Sequence, residues 1–209
     1  MKLCETVRRS SPGEQAASGS TVLKVSRYLR CVMLLAMFCS FASRLLAQPD
    51  SSQEYSVKAA FLFHFAQFVE WPEDSFKDAG SPLIYCTFGP DPFRGALDDT
   101  LNGKSIDTHA LQVRHAKQAQ DLKDCHVVFL GQLQKEQLSG TLALLKGSPV
   151  LVVGESDHFV QAGGMIGFFL DENKIRFDIN LETARNARLK INARLLSLAR
   201  TVIGAPKRD

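Results

Sequence analysis

Few residues in this chain are placed to do chemistry, and the cysteines come first. Of five, Cys4, Cys31 and Cys39 fall within residues 1–47, which leaves Cys86 and Cys125 as a pair. In an exported protein such a pair reads as a disulfide closing a loop of about 40 residues and worth ~2–4 kcal/mol. The other reading is two buried thiols that never meet, because sequence does not show whether their Cα atoms approach the usual ~5.5 Å. No histidine stands at ligand spacing from either cysteine, so no metal site is expected. His64, His109, His115, His126 and His158 are scattered, without the i, i+4 pair flanking a glutamate that a metalloprotease helix carries.

Other candidates are equally plain. Gly89-Pro90-Asp91 follows an apolar run where a doubly wound fold would place a ligand. It lacks the glycine fingerprint of a dinucleotide site and the Lys-Ser/Thr of a phosphate loop, so a capped turn is the better reading. No serine sits in a small-residue elbow that would expose a nucleophile. No catalytic residue is assigned, and no cofactor is expected. The more suggestive pattern is Lys174-Ile175-Arg176-Phe177-Asp178-Ile179-Asn180. As a strand it turns Ile175, Phe177 and Ile179 to one face and Arg176, Asp178 and Asn180 to the other. That polar row is either solvated or a recognition surface for a protein or small ligand. Trp71, at a helix end before Pro72, is either core or a binding anchor.

The elements that must position these residues follow from periodicity. Ser52 to Val69 has helical spacing with many aromatics, and Pro72 stops it. Pro82–Gly89 reads as a strand, Asp91 to about Leu101 as a helix, and Ala110–Arg114 as an alternating, half-buried strand. Cys125–Gly131 and Pro149–Gly154 are nearly continuous apolar runs, typical of interior parallel strands. Gln134–Leu145 is helical, Ser156 and Asp157 are placed to cap a short helix, and Gly163-Gly164 marks a chain reversal. Met165–Leu170 and Lys174–Asn180 form a hairpin through Asp171-Glu172-Asn173. A terminal helix runs from Leu181 to Ile203, with a break near Asn192. The predicted class is α/β: a layered sandwich around a mostly parallel central sheet flanked by helices, with a late antiparallel hairpin and a C-terminal helix.

The leader sets the compartment. Lys24, Arg27 and Arg30 precede the uncharged run from Cys31 to Ser43, which is closed by Arg44. As a helix this run covers roughly 20 Å, short of the ~30 Å hydrocarbon core. It reads as a cleavable secretory signal with cutting after Ala42 or Ala47, the uncleaved anchor being the other reading. Residues 1–47 are therefore set apart as leader, and 48–209 are expected to form a single domain in the periplasm. The first 47 residues hold seven Lys/Arg and two Asp/Glu out of 25 and 22, so the mature chain is slightly acidic and no nucleic-acid partner is expected.

Two segments resemble a known family. Tyr55-Ser56-Val57-Lys58-Ala59-Ala60-Phe61-Leu62-Phe63-His64-Phe65-Ala66-Gln67-Phe68-Val69-Glu70-Trp71-Pro72 is similar to the opening helix of the YfiR-like periplasmic proteins. Gly163-Gly164-Met165-Ile166-Gly167-Phe168, then Ile175 to Leu181 and Leu189 to Arg200, is similar to that family's closing segments. Asn192-Ala193 departs from a serine common there. The resemblance implies a non-enzymatic protein that represses a membrane-bound diguanylate cyclase by binding its periplasmic region. A sensor kinase is the other signalling partner to be considered. It also implies a homodimer and, in some members, disulfides. A single-lobe receptor for a small molecule is the alternative.

Overall fold

Alternating apolar side chains on the first long strand send Leu83 and Tyr85 to one face and Ile84, Cys86 and Phe88 to the other, and all six residues of that strand are buried. A strand buried on both faces needs a cover on each, and the chain supplies two. The computed structural model describes residues 51–205. The expected leader, residues 1–47, lies outside the described residues.

In chain order the elements are α1 (Ser51–Gln67), β1 (Val69–Glu70), β2 (Leu83–Phe88), α2 (Ala96–Leu101), β3 (Ser105–Ile106), β4 (His109–Ala116), β5 (Val127–Leu130), α3 (Lys135–Leu145), β6 (Leu151–Gly154), β7 (Ile166–Asp171), β8 (Lys174–Asn180), α4 (Leu181–Asn186), β9 (Lys190–Ile191), α5 (Ala193–Leu198) and β10 (Val202–Ile203). Short 3-10 turns occupy Glu73–Ser75 and Ala119–Asp124. The main sheet has eight strands in the order β10-β8-β7-β6-β5-β2-β4-β3. From β7 to β4 every pairing is parallel. The hairpin partner β8 is antiparallel to β7, and β3 is antiparallel to β4. The fold is thus the expected α/β sandwich, with a mostly parallel sheet, a late hairpin and a C-terminal helix.

One core packs α1, α2 and the α4–α5 region on the face that carries Tyr85, Phe129, Val153 and Phe177. Phe65 is fully buried there, stacked on Phe168 and edge-on to Phe177. The second core sets α3 and the Ala119–Asp124 turn against Ile84, Val128 and Val152. Cys86 and Cys125 lie in this second layer and are bonded, with Cα atoms 6.0 Å apart. The reading as two separate thiols is set aside.

Three elements differ from the sequence reading. The helix expected from Asp91 begins only at Ala96: Asp91 accepts from the Phe93 N–H, and Arg94 and Gly95 take left-handed conformations before the helix can start. The helix expected at Ser156 is a turn, with His158 at φ 54° and Phe159 driven into the core. The ring of Phe159 lies on Gly164, where a Cβ would fall 2.1 Å from it. The terminal helix is divided in three places. Arg188, at φ 61°, ends α4; Lys190–Ile191 pairs with Val69–Glu70; and Val202–Ile203 joins β8 in parallel. The break does fall at Asn192, whose side chain accepts from Arg194 N–H and caps α5.

Candidate functional site

The parallel strands end where the first turn of α1 comes to rest, and side chains from both meet there. Glu54 closes that turn and Tyr55 and Lys58 follow on the next, with Glu54 and Lys58 four positions apart on one face. Glu155 follows the last residue of β6. The Lys58 ammonium, almost fully buried, lies 2.5 Å from both Glu54 Oε1 and Glu155 Oε2. Tyr55 donates its hydroxyl to Glu155 Oε1 at 2.9 Å and offers its ring to Lys58 Nζ at 4.4 Å. Burial, reinforced by the bond to Glu155 and by its charge, pushes the Tyr55 phenol far above its ordinary value. It therefore remains a donor at any physiological pH.

Across the same cleft Arg200 bonds Asp178 in bidentate fashion, Nε to Oδ1 at 3.1 Å and Nη2 to Oδ2 at 2.7 Å. Its guanidinium sits 3.6 Å over the Phe169 ring. Backbone bonds from Arg200 N–H to Phe177 O and from Ile179 N–H to Thr201 O hold the arginine against β8. The cleft between these groups measures about 630 Å³, and its lining includes Gln132, Asp157 and His158. An adjoining groove of about 440 Å³ shares Glu54 and Leu170 with it and runs along Val57, Phe61 and Ile175. Here the surface is apolar: Val57 is 42% exposed and Leu170 53%.

The turn after β2, read from sequence as a capped turn, is one, with Asp91 accepting from the Phe93 N–H, and it packs against the turn after β5. The Gly131 N–H donates to Phe88 O at 3.0 Å, and a Cβ at Gly131 would stand 2.5 Å from Pro90 O.

The structure scatters the residues singled out from sequence. Asp178 lines the cleft, but its carboxylate is occupied by Arg200. Arg176 is exposed, opposite Phe169 in the hairpin. Asn180 is engaged at both ends of its amide, accepting from Thr183 N–H to cap α4 and donating to Val160 O at 2.8 Å. Trp71 lies beyond the far end of α1, edge-on to His126 with ring centroids 6.4 Å apart. Sequence reasoning missed Tyr55, Lys58, Glu155 and Arg200. The i, i+4 spacing of Glu54 and Lys58 within an aromatic helix was an available signal. Arg200, on an otherwise exposed stretch, is pinned by Asp178 and Phe169.

Two solved structures are similar to this chain. A conserved domain protein from Vibrio cholerae O1 biovar El Tor shares 12% identity over 71% of this chain and 60% of its own, with a TM-score of 0.47. The ABC domain in complex with L-Trp from Streptococcus pneumoniae shares 9% identity over 58% of this chain and 56% of its own, with a TM-score of 0.37. The chain therefore spans less than two thirds of the length of either. A family described as YfiR/HmsC-like matches residues 55–200, from the tyrosine of the cleft to its arginine. The chain belongs to the YfiR/HmsC-like family, a membership that supports a periplasmic regulatory role in general terms.

Proposed function

We propose that this protein is a non-enzymatic periplasmic regulator that binds the periplasmic region of a membrane-bound signalling enzyme, in the first instance a diguanylate cyclase, and holds it inactive. The acting unit is residues 48–209, released from the 1–47 leader, and it works as a homodimer. One observation carries the reading: two of the three exposed large hydrophobic side chains among the described residues, Val57 and Leu170, flank a single groove. An apolar groove beside a charged cleft is the pattern of a protein interface, where apolar contact gives affinity and the polar rim gives register. Arg176 stands on the same hairpin as Leu170 and serves as rim. Asp178 and Asn180 act through the groups they hold, and Trp71 offers a second contact at the opposite edge.

The test is co-purification of the detergent-solubilised cyclase with wild type and with V57E/L170E. Both positions are solvent-exposed, so the variant should fold with an unchanged melting temperature and lose the partner, and its strain should show raised cyclic di-GMP, as should a deletion. A variant that folds, binds and represses like wild type would refute the reading. The alternative, a single-lobe receptor for a small molecule, is favoured by the volume and polarity of the cleft. A metabolite at 100 times its dissociation constant would add about 2.7 kcal/mol of stability, visible as a thermal shift that E155Q abolishes.

A further inference from the structure

The segment Trp71–Ser81, which joins β1 to β2, is held across the amino edge of the sheet by two imidazoles. Phe76 lies between them, its ring stacked on His109 at 3.9 Å and on His126 at 4.4 Å, each pair 14° from parallel. Both histidines also bond the backbone of this strap: His126 Nε2 is 3.1 Å from Ser75 O, and His109 Nδ1 is 2.6 Å from Ser81 O. A carbonyl only accepts, so each of those nitrogens carries a proton. The other nitrogen of His126, Nδ1, accepts from the Ile84 backbone N–H of β2 at 3.1 Å. His126 is thereby committed to the neutral form, with its single proton on Nε2.

The surroundings do not favour a second proton. His109 and Arg114 approach from β4, Lys123 and Asp124 from the Ala119–Asp124 turn, and Asp74 and Lys77 from the strap itself. Asp74 is bonded to Arg188, and among the described residues no carboxylate is hydrogen-bonded to His126. The strap is also imperfectly satisfied where it is buried. Trp71 Nε1 and Ser75 Oγ are both enclosed and have no hydrogen-bond partner among the described residues. Beyond the packing of Trp71 and Phe76 on the core, its remaining hydrogen bonds to the rest of the fold, from Arg188 to Asp74 and from Thr108 Oγ1 to Ala79 O, are exposed.

We propose that Trp71–Ser81 is an acid-released strap, in which a proton taken from solvent onto His126 Nδ1 breaks the bond to Ile84 and frees the segment from the amino edge of the sheet. An imidazolium can still stack on Phe76. That contact leaves the Ile84 N–H facing another N–H and brings a new positive charge toward His109 and Arg114. Lifting the strap relieves both by letting the imidazolium reach water. Burial already holds the His126 pKa below its ordinary value, with His109 and Arg114 acting in the same direction against the raising effect of the Ser75 bond. The device is independent of which partner the protein regulates, and it gives that regulation a chemical input, external acidity.

The experiment is hydrogen exchange of the full chain, corrected for intrinsic rates, with the emission of Trp71, the sole tryptophan, recorded alongside. Between about pH 7.5 and pH 5, the Ile84 amide, whose acceptor is His126 Nδ1, should lose at least about tenfold protection and the Trp71 emission should shift to the red, while amides of β5 and β6 keep their protection. In H126N, whose side-chain oxygen can still accept from Ile84 but takes no proton, the loss should disappear. Unchanged Ile84 protection and Trp71 emission at pH 5, or an equal loss in H126N, overturns the proposal. Should H126N not fold, the His126 ring titration in wild type decides by NMR. Opening that tracks its protonation supports the device, and opening while His126 is still neutral refutes it.

Discussion

Lys58 is 4% exposed and carries a full charge, so its neighbours must repay the loss of water. Glu54 and Glu155 do so directly, and Tyr55 completes the set by donating to Glu155. Removing one anion from such a group costs more than the pair is worth, because the remaining cation stays buried. E155Q is expected to lower stability by about 3 kcal/mol, read by urea denaturation. Adding K58M to E155Q removes the buried cation that only Glu54 would still neutralise, so the double variant should be less destabilised than the two single losses summed. Strict additivity would show that Lys58 and Glu155 do not interact. Gly164 poses a steric problem instead. A methyl there meets the buried Phe159 ring at 2.1 Å, so G164A should cost about 1–3 kcal/mol. F159L in the same chain should restore part of that loss, and a melting series of the four proteins checks it.

The disulfide joins elements that sequence places 39 positions apart, the middle of β2 and the entry to β5. These strands are neighbours in the sheet, so the bond mainly limits how far the unfolded chain can spread. C86S/C125S should lose about 2–4 kcal/mol and keep the native spectrum, since both positions are buried in the second core. A loss of native structure in buffer would show that the bond helps to define the fold. Elements of this kind were legible because their signals are long: β5 and β6 appear as apolar runs, and β8 alternates over Lys174–Asn180 as expected. The strands β1, β9 and β10 hold two residues each, too few for any period to register, and only their pairings define them. The candidate site was the least legible part. Lys58 and Glu155 stand 97 positions apart, and Arg200 meets Asp178 because backbone bonds hold it along β8, with Phe169 of the paired strand beneath it. No local pattern encodes such a meeting, whereas the caps at Asn180 and Asn192 are local and Asn192 was recognised.

At the scale of the molecule, α1 spans the sheet from its carboxyl edge to its amino edge. Its 17 residues extend about 25 Å, with the Lys58 cluster near one end and the His126 clamp beyond the other. Acidity should act on the second end. The unfolded-state pKa of histidine is about 6.5, and in the fold His126 is held below it. Below about pH 6.5 the unfolded chain therefore binds a proton that the native chain refuses, and stability falls as pH falls toward the native value. Above that window the contribution is fully present. A series of urea midpoints from pH 8 to pH 5 should show this slope, flattened in H126N; parallel slopes in the two proteins would assign it to other groups. The separation of the two ends yields a further test. Sites more than about 10 Å apart without shared partners combine within about 0.5 kcal/mol. E155Q with H126N should accordingly lose the sum of the single losses at neutral pH. A larger departure would mean that α1 transmits strain between the cleft and the strap, and acid release at one edge would then alter partner binding at the other. Additivity would instead confine the effect of acidity to whatever contacts the amino edge, Trp71 included.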